Sequence, residues 1–543
     1  MTRLLAAAFV AGVFVLVFAT APAMSQQLNW LYVNTTEDLP ISPEQCLPQQ
    51  VCTLRSALLK AEGHQGVITA CFDPAEVPEA LGCPARAKPL RIDDENYDPE
   101  TGVWTLEKAR GSLSFDLSKG GTIIDFSLGL SGWDGPQDNR IAMDADLTRE
   151  PGDQKPTELF IIEGSNNTLA GFEIRGTYSI ASIIVRRGAS NNTFGPGMVW
   201  AAMPEGVGIS FEDRTTVANK IIGSWCGITG DGTESSGLSD HCVRIFNGAS
   251  LNTIGGSRPE DRNVLSANRR GAGVAVEGTI TRDNVIQGNY IGVSLDGSKA
   301  LPNDAGVQIV GGPSGTKVID NLISGNELAA VTVSGPGTGT VIEDNIIGLD
   351  VASTNCLPNS SGISIEAGAS EVRIAHNTVH CNERSGIIVR SGDSDEIFIT
   401  ENSISRNNQN PLDMAPAANG GIKPPVVEVE SGKLIRGRAC PGCRVELFTD
   451  PAGEAEFFEG SVVADEDSGL FVFEQPDGFH YLALRATMTD GMRTSPLSEV
   501  EFVPRERPTH TPFGYKTPTP RPTDPVHLLH YSYIPWASVG TIR

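Results

Sequence analysis

The sequence predicts an all-β chain: a solenoid of parallel strands closed at its start by a short helix, then a small β-sandwich. Three observations predict it. Residues 285–333 align without a gap onto 341–389, a shift of 56. Within each copy, β-branched runs of two or three alternating positions are separated by Gly and Asn. After Pro424-Pro425 the pattern changes to longer alternating runs punctuated by turn residues. A fixed period of this length marks a solenoid, in which one coil cannot bury its own apolar face and stacked coils share one core.

The repeat is specific in its details. Asn289-Tyr-Ile-Gly292 lies over Asn345-Ile-Ile-Gly348, and Leu301-Pro302-Asn303 over Leu357-Pro358-Asn359. Gly306-Val-Gln-Ile309 matches Gly362-Ile-Ser-Ile365, and Asn321-Leu-Ile-Ser-Gly-Asn326 matches Asn377-Thr-Val-His-Cys-Asn382. Spacings of 24 (Asn321 to Asn345) and 32 (Asn345 to Asn377) divide each block into two coils, the longer carrying an extra loop that ends in Leu-Pro-Asn. Runs this short suit strands, with Asn and Gly at the corners where the chain bends. An inward-turned Asn is costly alone but satisfied when stacked on another, donating one way and accepting the other. Structural ladders are therefore expected through Asn263, Asn268, Asn284, Asn289, Asn321, Asn326, Asn345, Asn377, Asn382 and Asn402. Residues 151–423 at ~24–30 per coil give roughly ten coils, about 50 Å long at the inter-strand spacing of ~4.8 Å.

The other segments follow in order. Residues 1–25 read as a secretory signal, with Arg3, an apolar run over 4–19 and small residues around 21–25. Residues 26–150 form the N-terminal cap and first coils. Thr53 is a good N-cap for a short helix with Leu54, Ala57, Leu58 and Ala61 on one face, and 121–126 forms an early coil. Residues 424–503 carry strand-like runs at 426–429, 434–437, 444–448, 470–473, 481–486 and 499–503, the pattern of a sandwich. Residues 504–525 are a Pro/Thr-rich linker, and 526–543 an aromatic tail without a sortase pattern.

The ten cysteines fall in neighbouring couples: Cys46 with Cys52, Cys71 with Cys83, Cys226 with Cys242, Cys356 with Cys381 and Cys440 with Cys443. An even number suits disulfides in an exported chain, though spacing leaves the connectivity open. Cys440-Pro-Gly-Cys443 interrupts strand-like sequence and lacks a second ligand pair, so a small-loop disulfide is expected rather than a redox or zinc site.

Composition narrows the partners. With 66 acidic and 41 basic residues the formal charge is −25, and no Lys/Arg cluster offers a nucleic-acid or anionic-membrane surface. After removal of the signal no run is long enough to span a bilayer.

These residues resemble the right-handed parallel β-helix superfamily of pectate-lyase-like proteins. The likeness is to secreted bacterial members with an N-terminal Cys-Ser/Thr-Leu-Arg-Glu-Ala motif, here Cys52-Thr-Leu-Arg-Ser-Ala57, with Ser56 in place of Glu. Leu31-Tyr-Val-Asn-Thr35 is similar to the family's opening strand, and the resemblance covers about residues 30–425. The sandwich looks like the Ig-like modules that trail this family as spacers or binding appendages. Enzymes on this fold cleave or epimerise acidic polysaccharides with carboxylates, an Arg or Lys and often calcium.

The motifs of such enzymes are missing. Neither an Asp-Pro-His-Asp motif nor the paired Asp of polygalacturonases occurs, nor Gly-x-Ser-x-Gly or His-Glu-x-x-His. Candidate catalytic residues reduce to Asp240 and His241, in Ser239-Asp240-His241 before Arg244, and to Glu366 and Arg390. An exposed loop explains the first pair equally. With Val274 and Val276 inward, Ala275 and Glu277 point outward, and the same register puts Glu366 and Arg390 outside on neighbouring coils. No metal site or cofactor is expected; calcium at Asp93-Asp94-Glu95 or Asp465-Glu-Asp467 lacks any EF-hand or repeated spacing. The leading expectation is a secreted or cell-surface, non-catalytic β-helix protein that presents an elongated face to extracellular polysaccharide or to a cell envelope. The alternatives are a polysaccharide lyase or glycoside hydrolase, and a structural envelope component.

Overall fold

A computed structural model describes residues 29–38, 46, 50–61, 66–85, 87–107, 114–146, 154–229, 232–237 and 240–504. The segments expected as a signal (1–25), a linker (504–525, beyond its first residue) and a tail (526–543) lie outside the described residues. Three long sheets of 12, 12 and 11 strands run side by side, and in each the strands follow one another in coil order. Successive coils contribute one strand to each sheet, as Thr253–Gly255, Val264–Leu265 and Ala272–Glu277 do. The pairing between coils is parallel throughout these sheets, the hairpin Tyr97–Asp98 with Val103–Glu107 excepted. The chain is thus a right-handed parallel β-helix with one continuous core.

The core is a set of stacked columns. Ile254, Ile286, Val318, Ile342, Ile374 and Ile399 lie one above another in the first sheet, all buried. Each such side chain contributes ~1.5–3 kcal/mol by leaving water. Columns of this kind hold only if successive corners superpose, and buried asparagines fix the corners. Three ladders run along the solenoid: Asn167, Asn192, Asn219, Asn252 and Asn284 in one; Asn263, Asn289, Asn321, Asn345, Asn377 and Asn402 in another; and Asn268, Asn303, Asn326, Asn359, Asn382 and Asn407 in the third. In each step the side-chain amide and the backbone N–H of one Asn donate to the same Oδ1 of the next. Asn321 does so to Asn345 at 3.0 Å from both. The Asn345 amide also donates to the carbonyl of Val318 at 2.8 Å, so little of its capacity is left over.

The extra loop of alternate coils is a protruding hairpin. Antiparallel bridges close it at Ile228 with Ser235, Val293 with Ala300 and Leu349 with Cys356. Successive hairpins bond directly, Leu295 N–H to the Gly232 carbonyl at 3.0 Å and Val351 N–H to that of Gly297 at 3.1 Å. Both glycines have positive φ (72° and 68°), and a Cβ on either would collide with the Leu295 or Val351 side chain seated on it.

At the N-terminal end the helix Leu54–Ala61 covers the open core with Leu54, Ala57, Leu58 and Ala61. Thr53 caps it, its hydroxyl accepting the Ser56 N–H at 3.1 Å. The motif arginine, Arg55, makes a bidentate pair with Asp38 and lies over the Phe115 ring at 4.7 Å, tying cap to first coil.

The structure fixes the connectivity that spacing left open, and every neighbouring couple is a disulfide. Cys46 is joined to Cys52 and Cys71 to Cys83 near the cap, the latter linking a buried Cys71 to a half-buried Cys83. Cys226 is joined to Cys242, both fully buried, and Cys242 Sγ accepts the Asn268 amide at 3.1 Å. That sulfur therefore takes the place of the backbone carbonyl that accepts the second amide proton of the later asparagines, as the Leu265 carbonyl does for Asn303. Cys356 is joined to Cys381 on the adjacent coil, and Cys440 to Cys443 in the sandwich.

The C-terminal domain is a sandwich of a three-stranded sheet (Val426–Val429, Leu434–Arg438, Leu470–Glu474) and a second sheet built on Arg444–Asp450 and Ala483–Asp490. Two sequence expectations need correction here. The strand Phe457–Val463, interrupted by Gly460 at φ 139°, went unanticipated, and the run expected at 481–486 begins at Ala483 and extends to Asp490. The domain is also more than an appendage. It covers the last coil: Ile404 and Ala455 exchange backbone hydrogen bonds, Thr494 Oγ1 accepts the Ile399 N–H at 2.9 Å, and Arg493 pairs with Asp395. Phe448, Ala455 and Leu497 belong to the solenoid's own core. A solenoid end otherwise exposes apolar columns and unpaired strand edges, which is the physical reason for a cap at each end.

Two outcomes follow. Asn345→Leu strips the acceptor from Asn321 and one donor from Asn377 in buried surroundings, and denaturant unfolding is expected to show a loss of about 3 kcal/mol. At the junction, burial first, then Asp450, pushes the Glu454 carboxyl up to about 7, while the Asn407 and Arg406 backbone N–H groups pull the other way. A carboxyl raised above its unfolded value stabilises the fold in its protonated form. That advantage is full below 4.5 and is lost as pH rises to about 7. Thermal unfolding across pH 4–8 is expected to show that loss in the wild type and a smaller one in Glu454→Gln.

Candidate functional site

The sequence-predicted residues lie along the third sheet. In its strands alternate residues point away from the core. The register places Arg244 beside Ser210 and Ala275, and Ser364 beside Thr332 and Ile388. A parallel outward column holds Glu212 beside Phe246, and Glu277 beside Val310. Ser210, Ala275 and Ser364 are buried despite facing outward, because longer neighbours cover them. Ala275 thus points outward as the alternation predicts, yet is covered.

Charges on this face pair between neighbouring coils. Arg244 donates to Glu277 at 2.7 Å and lies over the Phe246 ring at 4.4 Å. Glu366 and Arg390, placed on adjacent coils by sequence, meet at 2.9 Å, and the Ser364 hydroxyl adds a 2.6 Å bond to Glu366. Arg186 meets Glu163 at 3.0 Å. Sequence reasoning named Arg244 and Glu277 separately but missed their pairing and the Glu163–Arg186 pair. The 23-residue spacing of Glu163 and Arg186 is one coil and held the signal, whereas Arg244 lies opposite Ala275 and reaches Glu277 diagonally, two residues beyond the one-coil offset of 31. Between Arg244, Phe246, Asn247, Glu277, Val310 and Gly311 an open cleft of about 470 Å³ indents the face.

Asp240 and His241 stand just before strand Val243–Phe246, while Ser239 lies outside the described residues. His241 Nδ1 accepts the Ala272 N–H at 2.8 Å, and its Nε2 stands 3.7 Å from Asp240. Burial, above all, and Arg244 hold this imidazole below its ordinary pKa, with Asp240 and Glu277 acting the other way. A neutral ring has one acceptor nitrogen, and here the backbone occupies it. His241 is thus placed as a donor and structural link rather than as a base. Glu366 and Arg390 are far along the sheet from it, because four strands lie between Val243–Phe246 and Ile387–Val389. The four candidates form two groups and not one.

No cluster of three or more His, Cys, Asp or Glu side chains arranged to hold a metal occurs among the described residues. The acidic loops considered for calcium are engaged locally: Asp93 with Arg91, Asp94 with Thr36 and Asn96, and Asp465 with Ser468. No described helix is long and apolar enough to cross a membrane.

An exposed pair such as Glu366 with Arg390 is worth ~0–1 kcal/mol. Glu366→Gln is therefore expected to leave the unfolding midpoint in urea nearly unchanged, which separates any binding role from a structural one.

The chain matches no protein-family model and no curated protein. Among solved structures it is similar to the A-module of a mannuronan C-5 epimerase from Azotobacter vinelandii (12% identity, 68% of this chain and 86% of that one, TM-score 0.36). It is similar also to the catalytic domain of a GH87 alpha-1,3-glucanase (12% identity, 72% and 67%, TM-score 0.39). A third is the full-length tailspike protein 2 of Escherichia coli O157:H7 bacteriophage CAB120 (9% identity, 68% and 61%, TM-score 0.30). At these values the likeness carries neither activity nor ligand.

Proposed function

We propose that this is an exported, non-catalytic β-helix protein whose third-sheet face binds neutral polysaccharide. The observation that carries the reading is the cleft of about 470 Å³ framed by the Arg244–Glu277 pair and Phe246 on an open sheet. Paired guanidinium and carboxylate groups donate and accept toward sugar hydroxyls, and Phe246 and Val310 supply apolar contact. The stacked coils extend the same face along the molecule, as a linear glycan requires. Binding is favoured over cleavage because Glu163, Glu277 and Glu366 each engage an arginine, while His241 spends its acceptor on the backbone. The net charge of −25 repels polyanions, which favours a neutral glycan over the acidic ones. Five disulfides suit an exported chain acting outside the cell or at its surface.

Size-exclusion chromatography of the protein with neutral and acidic polysaccharides, with and without calcium, tests this. Co-elution with intact neutral chains, lost in a variant combining Arg244→Ala, Phe246→Ala and Glu277→Ala, is expected. Shortened chains would instead make it a lyase or hydrolase, and absence of co-elution would favour a structural envelope role.

A further inference from the structure

The sandwich carries a second arrangement with no structural need for its exposed part. Strand Phe457–Val463 places Phe457 and Glu459 on one face, and residues 475–482 fold over them. The Glu459 side chain is fully buried. It accepts from the Thr449 hydroxyl, from Gln475 Nε2 at 3.0 Å and from the His480 backbone N–H at 2.8 Å. Burial pushes its carboxyl up, but these donors and the His480 ring outweigh that and hold it below its ordinary value. It is therefore a carboxylate, and His480 Nδ1, 3.0 Å away, carries the proton toward it.

That bond fixes the tautomer. The Gln475 and backbone bonds already anchor the segment, so the ring-to-carboxylate bond adds orientation rather than attachment. In the neutral ring it leaves Nε2 as an acceptor on a side chain 60% exposed. The imidazole is stacked on Phe457 (centroids 5.4 Å apart, planes at 16°), and Phe457 is 4.9 Å from Tyr481. Three rings thus form a half-exposed row with one oriented acceptor at its end.

We propose that this row is a carbohydrate-binding patch for a neutral pyranose. The sugar's C–H face lies on the aromatic row, where polarised C–H groups meet the negative ring faces, and one hydroxyl donates to His480 Nε2. Glu459 is the positioning residue. The patch is on a different domain from the third-sheet cleft and does not rest on that cleft's role.

The test is an NMR titration of the full chain, labelled with ring-¹⁵N histidine, using methyl α- and β-hexopyranosides and neutral hexose trisaccharides. Saturable movement of the His480 Nε2 signal, with the other seven of the eight histidines unmoved, is the expected result. Tyr481→Ala and His480→Phe are each expected to weaken binding about tenfold or more, equal to ~1.4 kcal/mol. Glu459→Gln should abolish the tautomer preference seen in the ring ¹⁵N shifts and weaken binding with it. No movement of His480 with any of these sugars, or an affinity unchanged by Tyr481→Ala, would overturn the patch. Arg244→Ala with Glu277→Ala is expected to leave the His480 titration intact, so failure at the cleft and failure here read out separately.

Discussion

The solenoid depends on one interaction, the hydrogen bond from the amide of one buried asparagine to the carbonyl of the next. An amide group buried without its partners costs free energy comparable to a lost hydrogen bond; backbone carbonyls take one of its protons, and the matching corner of the adjacent coil supplies the acceptor for the other and for the backbone N–H. Each coil is therefore obliged to turn where its neighbour turns. Once Asn321, Asn345 and Asn377 superpose, the strands between them must align, and Val318, Ile342 and Ile374 fall into one column. The same registration reaches the outside, where it brings Arg244 to Glu277 and Glu366 to Arg390. Between fixed corners the chain length is free, which is how coils of 24 and 32 residues share one core.

Where the repeat is regular, the sequence carried the coil spacing and most of the corner residues, because these are local information. Upstream it degenerates. The ladder through Asn167, Asn192, Asn219 and Asn252 advances by 25, 27 and 33 residues, and two of its members hide in Asn-Asn doublets. In each doublet the first residue takes a positive φ (Asn166 at 61°, Asn191 at 55°) while the second turns inward. No period reveals which is which. Asn303 and Asn359 were visible as the ends of the Leu-Pro-Asn loops, but nothing local announces that a loop end re-enters the core. Nor does anything local announce that the Cys242 sulfur accepts from the first amide of that ladder, Asn268. The capping role of the sandwich was illegible for a related reason. It is made by Ile404 with Ala455, Ile399 with Thr494 and Asp395 with Arg493, contacts distant in sequence and bearing no shared pattern.

The candidate site was legible as positions but not as chemistry. Alternation along a strand says that Glu366 and Arg390 face outward, and one-coil spacing says that they are neighbours. It does not say that Glu277 meets Arg244 across the preceding coils, or that the acceptor of His241 is taken by Ala272. Protonation and hydrogen-bond direction arise from groups on different turns, so two adjacent residues that read as an acid–base pair are resolved only by their third partner.

The stacked hairpins set the unit by which such a molecule can lengthen. They sit on alternate coils, and each seats an aliphatic side chain on a glycine of the hairpin before it, Leu295 on Gly232 and Val351 on Gly297. Duplicating a single coil of 24 or 32 residues would leave a hairpin without its seat or seat two on one glycine. Duplicating 56 residues keeps the alternation. A new hairpin would then rest at Ser353, which stands where the earlier hairpins have glycine and already holds φ at 55°, and the corner asparagines would continue unbroken. The two gapless blocks at 285–333 and 341–389 keep this two-coil step, the one that the hairpin ridge permits.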